Sequence, residues 1–203
     1  PDPGAEVEGR KREALQQLAL HALPHLAHKA LWDTLDVSYF MRHEADEIAW
    51  HTRVLSKELA RLAPGQVLDR SIVRARLSPE GEGLQVLVYA PDQPDLFARI
   101  CGYFDMAHFS ILDARVHTTQ TGHALDTFQV VVPELAEHYR ELVAMVENRL
   151  AQVIDERGPL PAPTLGRLSR RVRSFPVTPR VDLRPDEKAQ RWLLSISASD
   201  RAG

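Results

Sequence analysis

A chain of 203 residues has room for one complete domain and part of another, since compact domains usually take roughly 100–150 residues. With 44% hydrophobic and 26% charged residues its balance is that of a globular protein, not of a disordered or membrane one. A net charge of −3 excludes an overall field that would draw nucleic acid, an anionic membrane or acidic partners.

The single cysteine, Cys101, cannot close an internal disulfide, and its apolar helical setting suits a reducing cytoplasm. No run of about 18 apolar residues predicts a membrane span, and Pro1 to Arg12 is too polar for a secretory signal. The missing initial methionine suggests a piece of a longer protein.

From Ala5 to about Asp33, Leu15, Leu18, Ala22, Leu26 and Leu31 recur at helical spacing and predict an amphipathic helix, kinked or divided at Pro24. An irregular stretch around Asp36 to His43 follows. Glu44 to Leu62 reads as a second helix, with Ile48, Ala49, Leu55, Leu59 and Leu62 on one side. Pro64 and Gly65 punctuate the chain, and strand periodicity begins at Ser71.

Ser71–Leu77 alternates, and Leu84–Tyr89 is a compact β-prone run ended by Pro91. Pro94 opens a helix to about Ala107, with Leu96, Ile100, Cys101 and Phe104 on the buried stripe. Phe109–Thr119 and His123–Val132 read as strands joined by a hairpin turn at Gln120, Thr121 and Gly122. A long helix from Pro133 to about Glu156 carries Leu135, Tyr139, Leu142, Val146, Leu150 and Ile154, with Gly158 as terminator.

Residues 159–171, rich in proline and arginine, read as a linker. Val172–Leu183, broken by Pro176 and Pro179, is expected to supply an edge strand that completes a β-α-β-β-α-β order. The expected fold class is therefore α+β, a ferredoxin-like arrangement preceded by a helical segment. A last strand, Trp192–Ala198, runs into Ser199-Asp200-Arg201-Ala202-Gly203 and echoes Leu87–Leu96 about 108 residues earlier, as if a second copy of the fold begins there. The expected domains are 1–63 (helical lead-in), 71–185 (first α+β domain) and 190–203 (first strand of a truncated second copy).

The stretch Asp92-Gln93-Pro94-Asp95-Leu96 resembles the turn between the first strand and first helix of ACT domains. Ile111-Leu112-Asp113-Ala114-Arg115-Val116-His117, followed by Gly122-His123-Ala124-Leu125-Asp126-Thr127-Phe128, resembles the first ACT domain of the bifunctional PII uridylyltransferase/uridylyl-removing enzyme family. Leu31-Trp32, Tyr39-Phe40-Met41-Arg42-His43 and Glu47-Ile48-Ala49-Trp50-His51 resemble that family's linker between its HD domain and its ACT pair.

The resemblance implies a regulatory glutamine- or amino-acid-sensing module of nitrogen signalling, acting on the PII signal protein through the parent enzyme. A second ACT domain or a homo-oligomer would be its neighbour, with no nucleic acid and no membrane as partners. The parent would use Mg²⁺ or Mn²⁺ in catalytic domains that this chain lacks, and no cofactor is expected in the chain itself. Neither a Gly-Ser with paired aspartates nor a His-Asp dyad occurs, so no catalytic residue is assigned.

The same resemblance places an amino-acid site at Asp92, Gln93, Pro94, Asp95 and Leu96 of one domain, facing the second strand, here Ser110, Ile111 and Leu112, of a partner domain. The physical reading agrees, because a helix start offers unpaired N–H groups to a carboxylate and Asp92 offers a charge to an ammonium. Asp95 stands where the family usually has glycine. Its expected role is to cap the helix; the alternative is a carboxylate that repels the ligand.

Other groupings have plainer readings. His21, His25 and His28 could form a metal-dependent hydrolase centre, but Pro24 between them spoils the spacing, so a solvated or partly buried face is expected and no metal is assigned. Arg167, Arg170, Arg171, Arg173, Arg180 and Arg184 read as a solvated linker, since aromatic residues are sparse among them. Trp32, Tyr39, Phe40 and Trp50 are expected to dock helices on a neighbouring domain, leaving some rings exposed in this chain. A ligand-free dimerisation role for the α+β domain is the remaining alternative.

Overall fold

The computed structural model describes residues 2–21, 23, 26–79, 81–133, 135–160 and 180–182. They fall into two compact units, Pro1–Leu68 with Thr119–Gly122, and Asp69–Thr118 with His123–Gly203. The expected strand Trp192–Ala198, the second copy it would begin, and residues 161–171 of the linker lie outside the described residues.

The first unit is helical. Helix α1 (Pro3–Ala19) starts where the Asp2 side chain accepts from Gly4 N and proline fills the first position, and it buries Val7, Ala14 and Leu18. The helix predicted from Ala5 to Asp33 is thus cut in two, resuming only as α2 (Lys29–Trp32). Pro24 lies in the gap; its ring removes one amide donor and disfavours helical geometry in the residue before it.

The stretch expected to be irregular is instead helix α3 (Val37–Arg42), because the Asp36 carboxylate accepts from Ser38 N at 3.0 Å and Tyr39 N at 3.3 Å. At its other end, Nη1 of Arg10 donates to the carbonyls of Phe40, Met41 and His43 at 3.1, 2.7 and 2.9 Å. One guanidinium therefore satisfies three acceptors at a helix C-terminus, where positive charge is also favoured.

Helix α4 (Ala45–Leu59) runs within the predicted span. Trp32, Tyr39, Phe40 and Trp50 are all buried, which corrects the expectation that some of these rings are exposed. Phe40 meets both Trp32 and Tyr39 edge-on, at 5.3 and 5.2 Å between centroids. Trp32 Nε1 donates to Thr52 Oγ1 at 2.9 Å. The aromatic rings fill the unit's own core, and the polar atoms of Trp32 and Tyr39 find partners inside it.

The second unit is a sheet with two helices. Strands β1 (Ile72–Leu77) and β2 (Leu84–Pro91) form an antiparallel hairpin, with Ile72 opposite Tyr89 and Leu77 opposite Leu84. Helix α5 (Leu96–Met106) leads to β3 (Ser110–Arg115), then β4 (His123–Val131), then helix α6 (Leu135–Glu156). Strand β4 lies between β2 and β3, antiparallel to both, and the three-residue β5 (Arg180–Asp182) runs parallel to β3. The order is β1-β2-β4-β3-β5.

This is the α+β, ACT-like arrangement with a helical lead-in. Strand β1 lies beside β2, and β5, the described part of Val172–Leu183, lies at the opposite edge of the sheet, while residues 172–179 and 183 lie outside the described residues. A hairpin partner needs only a short turn, and Gly83 makes this one possible. At φ +100° it brings its backbone so near β4 that a Cβ would sit 2.1 Å from the Val130 carbonyl oxygen.

Val73, Val86, Val88 and Phe128 of the sheet pack against Ile100 and Phe104 of α5 and Val146, Leu150 and Ile154 of α6. Each such side chain contributes about 1.5–3 kcal/mol relative to exposure. Helix α6 ends at Glu156, as expected, but the residue that leaves it in the left-handed conformation is Arg157, φ 50°, and not Gly158.

Candidate ligand site at the β2–α5 turn

Strand β2 ends at Pro91, and the next four residues reverse the chain into α5. Leu96 N donates to Gln93 O at 3.3 Å, closing the turn, and Arg99 N donates to Asp95 O at 2.8 Å, opening the helix. Gln93 and Leu96 are buried, whereas Asp92, Pro94 and Asp95 face outward. Asp95 has φ 65° and ψ 13°, and its side chain makes no capping bond.

The expectation that Asp95 caps the helix is therefore corrected. A capping side chain needs extended backbone to fold over the first turn, and the left-handed conformation turns it away. Asp95 occupies a glycine-type backbone position, which aspartate tolerates better than most residues.

Ile111 is buried, Ser110 and Leu112 are half-buried, and the register of β3 against β4 shifts between Ile111 and Asp113. Ile111 and Leu84 both pair with Val130, whereas Pro91 pairs with His123 at the other end of the sheet. Seven residues separate Leu84 from Pro91, so at about 3.3 Å per residue the turn and Ser110–Leu112 lie roughly 20 Å apart. One copy of this domain does not bring the predicted site residues together. A ligand touching both sets needs a second domain, as the resemblance implies.

The structure adds a residue that the sequence reading left out. His123, opposite Pro91 at the end of β2, is buried and stacks on Tyr89 with centroids 5.0 Å apart and planes 2° from parallel. Strand periodicity assigns faces but not register, so this neighbour of the turn was not legible beforehand.

Below α5, burial first and the nearby Asp126 carboxylate second push the Cys101 thiol well above its usual range. Asp126 Oδ1 accepts from His117 N at 3.3 Å. Cys101 is a packing residue with no thiolate character.

Among the described residues, no group of three or more His, Cys, Asp or Glu is placed to hold a metal ion. His21 lies 2.9 Å from the Arg53 guanidinium and His28 packs edge-on against Trp32, while His25 lies outside the described residues. Of the basic run, only Arg180 is described, in β5. No described helix is long and apolar enough to cross a membrane.

Residues 2–54 match the family model described as the uridylyltransferase GlnD fifth domain. The whole chain is 54% identical to part of a bifunctional uridylyltransferase/uridylyl-removing enzyme of Ralstonia nicotianae. It is 53% identical to the proteins of the same name from Burkholderia thailandensis and Burkholderia mallei. In each case all of this chain aligns but only 23% of the relative, so the chain spans about a quarter of the length of these relatives. No solved structure matches the chain. Over its full length, then, the chain is similar to one region of the bifunctional uridylyltransferase/uridylyl-removing enzymes, and residues 2–54 are similar to the fifth domain that the family model describes.

Proposed function

We propose that the chain is the regulatory, amino-acid-sensing module of such an enzyme, that glutamine is its ligand, and that it controls uridylylation of a PII signal protein without catalysing it. The observation that carries this reading is the β2–α5 turn. It has a left-handed residue at its end and a helix start that no Asp95 side chain caps, the geometry that receives a carboxylate on backbone N–H groups. Asp92, exposed at the same turn, offers charge to the ligand's ammonium.

The separation of Ser110–Leu112 from that turn supports a site shared with a second domain of the same kind. Binding energy for the ligand then becomes association energy between domains, which is how a small molecule shifts a large assembly.

The test is the glutamine dependence of uridylyl transfer and removal in a full-length enzyme containing this segment, with and without Asp92→Ala. Loss of one charge-assisted hydrogen bond of about 1.5–3 kcal/mol raises the half-effective glutamine concentration about tenfold or more. An unchanged response in Asp92→Ala contradicts the assignment. Glutamine without effect on either activity in the unaltered enzyme favours a ligand-free dimerisation role instead.

A further inference from the structure

Strand β1 is an outer strand of the sheet, pairing with β2 on one side. Its other side presents backbone groups that would ordinarily template another strand. Three of those groups are already claimed. Ser71 N donates to Asp155 Oδ1 at 2.8 Å, Ala75 N donates to Glu147 Oε2 at 3.1 Å, and the Val73 carbonyl accepts from Arg74 Nη1 at 2.8 Å. Residues 71, 73 and 75 alternate along one edge, as the strand period requires.

The acceptors also share a line. Glu147, Ala151 and Asp155 are spaced by four on α6, and the Ala151 carbonyl takes the Ser71 hydroxyl at 3.2 Å. Two such steps of helix rise about 12 Å, and the four residues from Ser71 to Ala75 rise about 13 Å, so the two ladders match in length. Asp155 meets the start of the strand and Glu147 its middle, so α6 runs antiparallel to β1. The stripe 147–151–155 sits one residue round the helix from the core stripe Val146, Leu150 and Ile154. One face of α6 covers the sheet while its neighbour closes the edge.

We propose that Glu147 and Asp155 are an edge lock: their carboxylates stand in for the missing strand and keep β1 from pairing with β1 of a second copy of this chain. Association between copies is thereby directed away from this edge. Without the two carboxylates, two outward N–H groups per chain lack acceptors, and an antiparallel β1–β1 pairing supplies them.

The test uses the full chain with Glu147→Ala/Asp155→Ala, its isosteric control Glu147→Gln/Asp155→Asn, and Glu147→Ala alone. Molar mass by light scattering across tens of micromolar is measured for each, with amide hydrogen exchange at Ser71 and Ala75. The double alanine variant is expected to form a larger, concentration-dependent species than the unaltered chain, and the Gln/Asn control, which keeps the acceptor oxygens, to behave like the unaltered chain. If the double variant fails to fold, Glu147→Ala alone is expected to exchange its Ala75 amide at least tenfold faster, with Ser71 unchanged. A folded double alanine variant with the mass of the unaltered chain overturns the proposal, as does unaltered Ala75 exchange in Glu147→Ala.

Discussion

Asp95 is the residue at which two readings of the turn predict opposite orders of stability. If its side chain capped α5, threonine, a good capping residue, would replace it within a few tenths of a kcal/mol, and glycine would lose a similar small amount. The structure gives it φ 65° and no capping bond. A left-handed backbone costs an ordinary L-residue about 1–2 kcal/mol, and a β-branched one sits at the high end of that range. Asp95→Thr should therefore destabilise the sheet unit by about 1–2 kcal/mol. Asp95→Gly relieves the backbone but gains about 0.5–1 kcal/mol of unfolded-chain entropy, so it should be close to neutral. Urea denaturation of the three proteins measures this, with glycine expected above threonine by about 1 kcal/mol or more. In a melt that gap is about 2–4 °C per kcal/mol for a chain of this size. Threonine equal to or more stable than glycine would refute the left-handed assignment and restore the cap.

Other consequences follow from single contacts. Gly83→Ala drives a methyl group into the Val130 carbonyl at a positive φ, and should cost about 2–3 kcal/mol by denaturant midpoint; a neutral substitution would mean that the hairpin turn sits elsewhere. Arg10→Ala strips three carbonyls of their charged donor and should lower stability by about 1.5–3 kcal/mol, whereas no loss would place the guanidinium in solvent. Tyr39 is held well above its ordinary range, first by burial and then by Glu47, so it stays protonated when the unfolded chain ionises. The sign is loss of stability as pH rises above about 10, with Tyr39 contributing up to about 1.4 kcal/mol per unit, and Tyr39→Phe should reduce the slope by that share while the shares of Cys101 and Tyr103 remain. Cys101 should resist a thiol reagent at pH 8 until the protein unfolds; rapid native labelling would contradict its burial.

Much of the fold was legible because its signals are periodic. The stripe Val146, Leu150, Ile154 and the alternation of Ser71–Leu77 mark a helix and a strand. The neighbour of β2 was not legible, since a strand's pattern marks its buried face but not its partner. The deciding feature was the short Gly81–Gly83 connection, which favours the strand just before β2 over one some 90 residues later. Helix α3 was missed although Asp36 is a good capping residue, because six residues show too little periodicity to stand out. The site was legible only as residue types at a turn. That Asp95 is left-handed, and that the two groups of residues proposed for the site lie at opposite ends of one sheet, are matters of backbone and register.

The most direct measurement of the central claim is amide hydrogen exchange on a full-length enzyme containing this segment, compared with and without saturating glutamine. The account predicts protection at residues 92–98 and 110–112 together, because one ligand bridges the turn of one domain and the second strand of another. Protection of neither stretch, with glutamine bound and its signal confined to other parts of the enzyme, would contradict it.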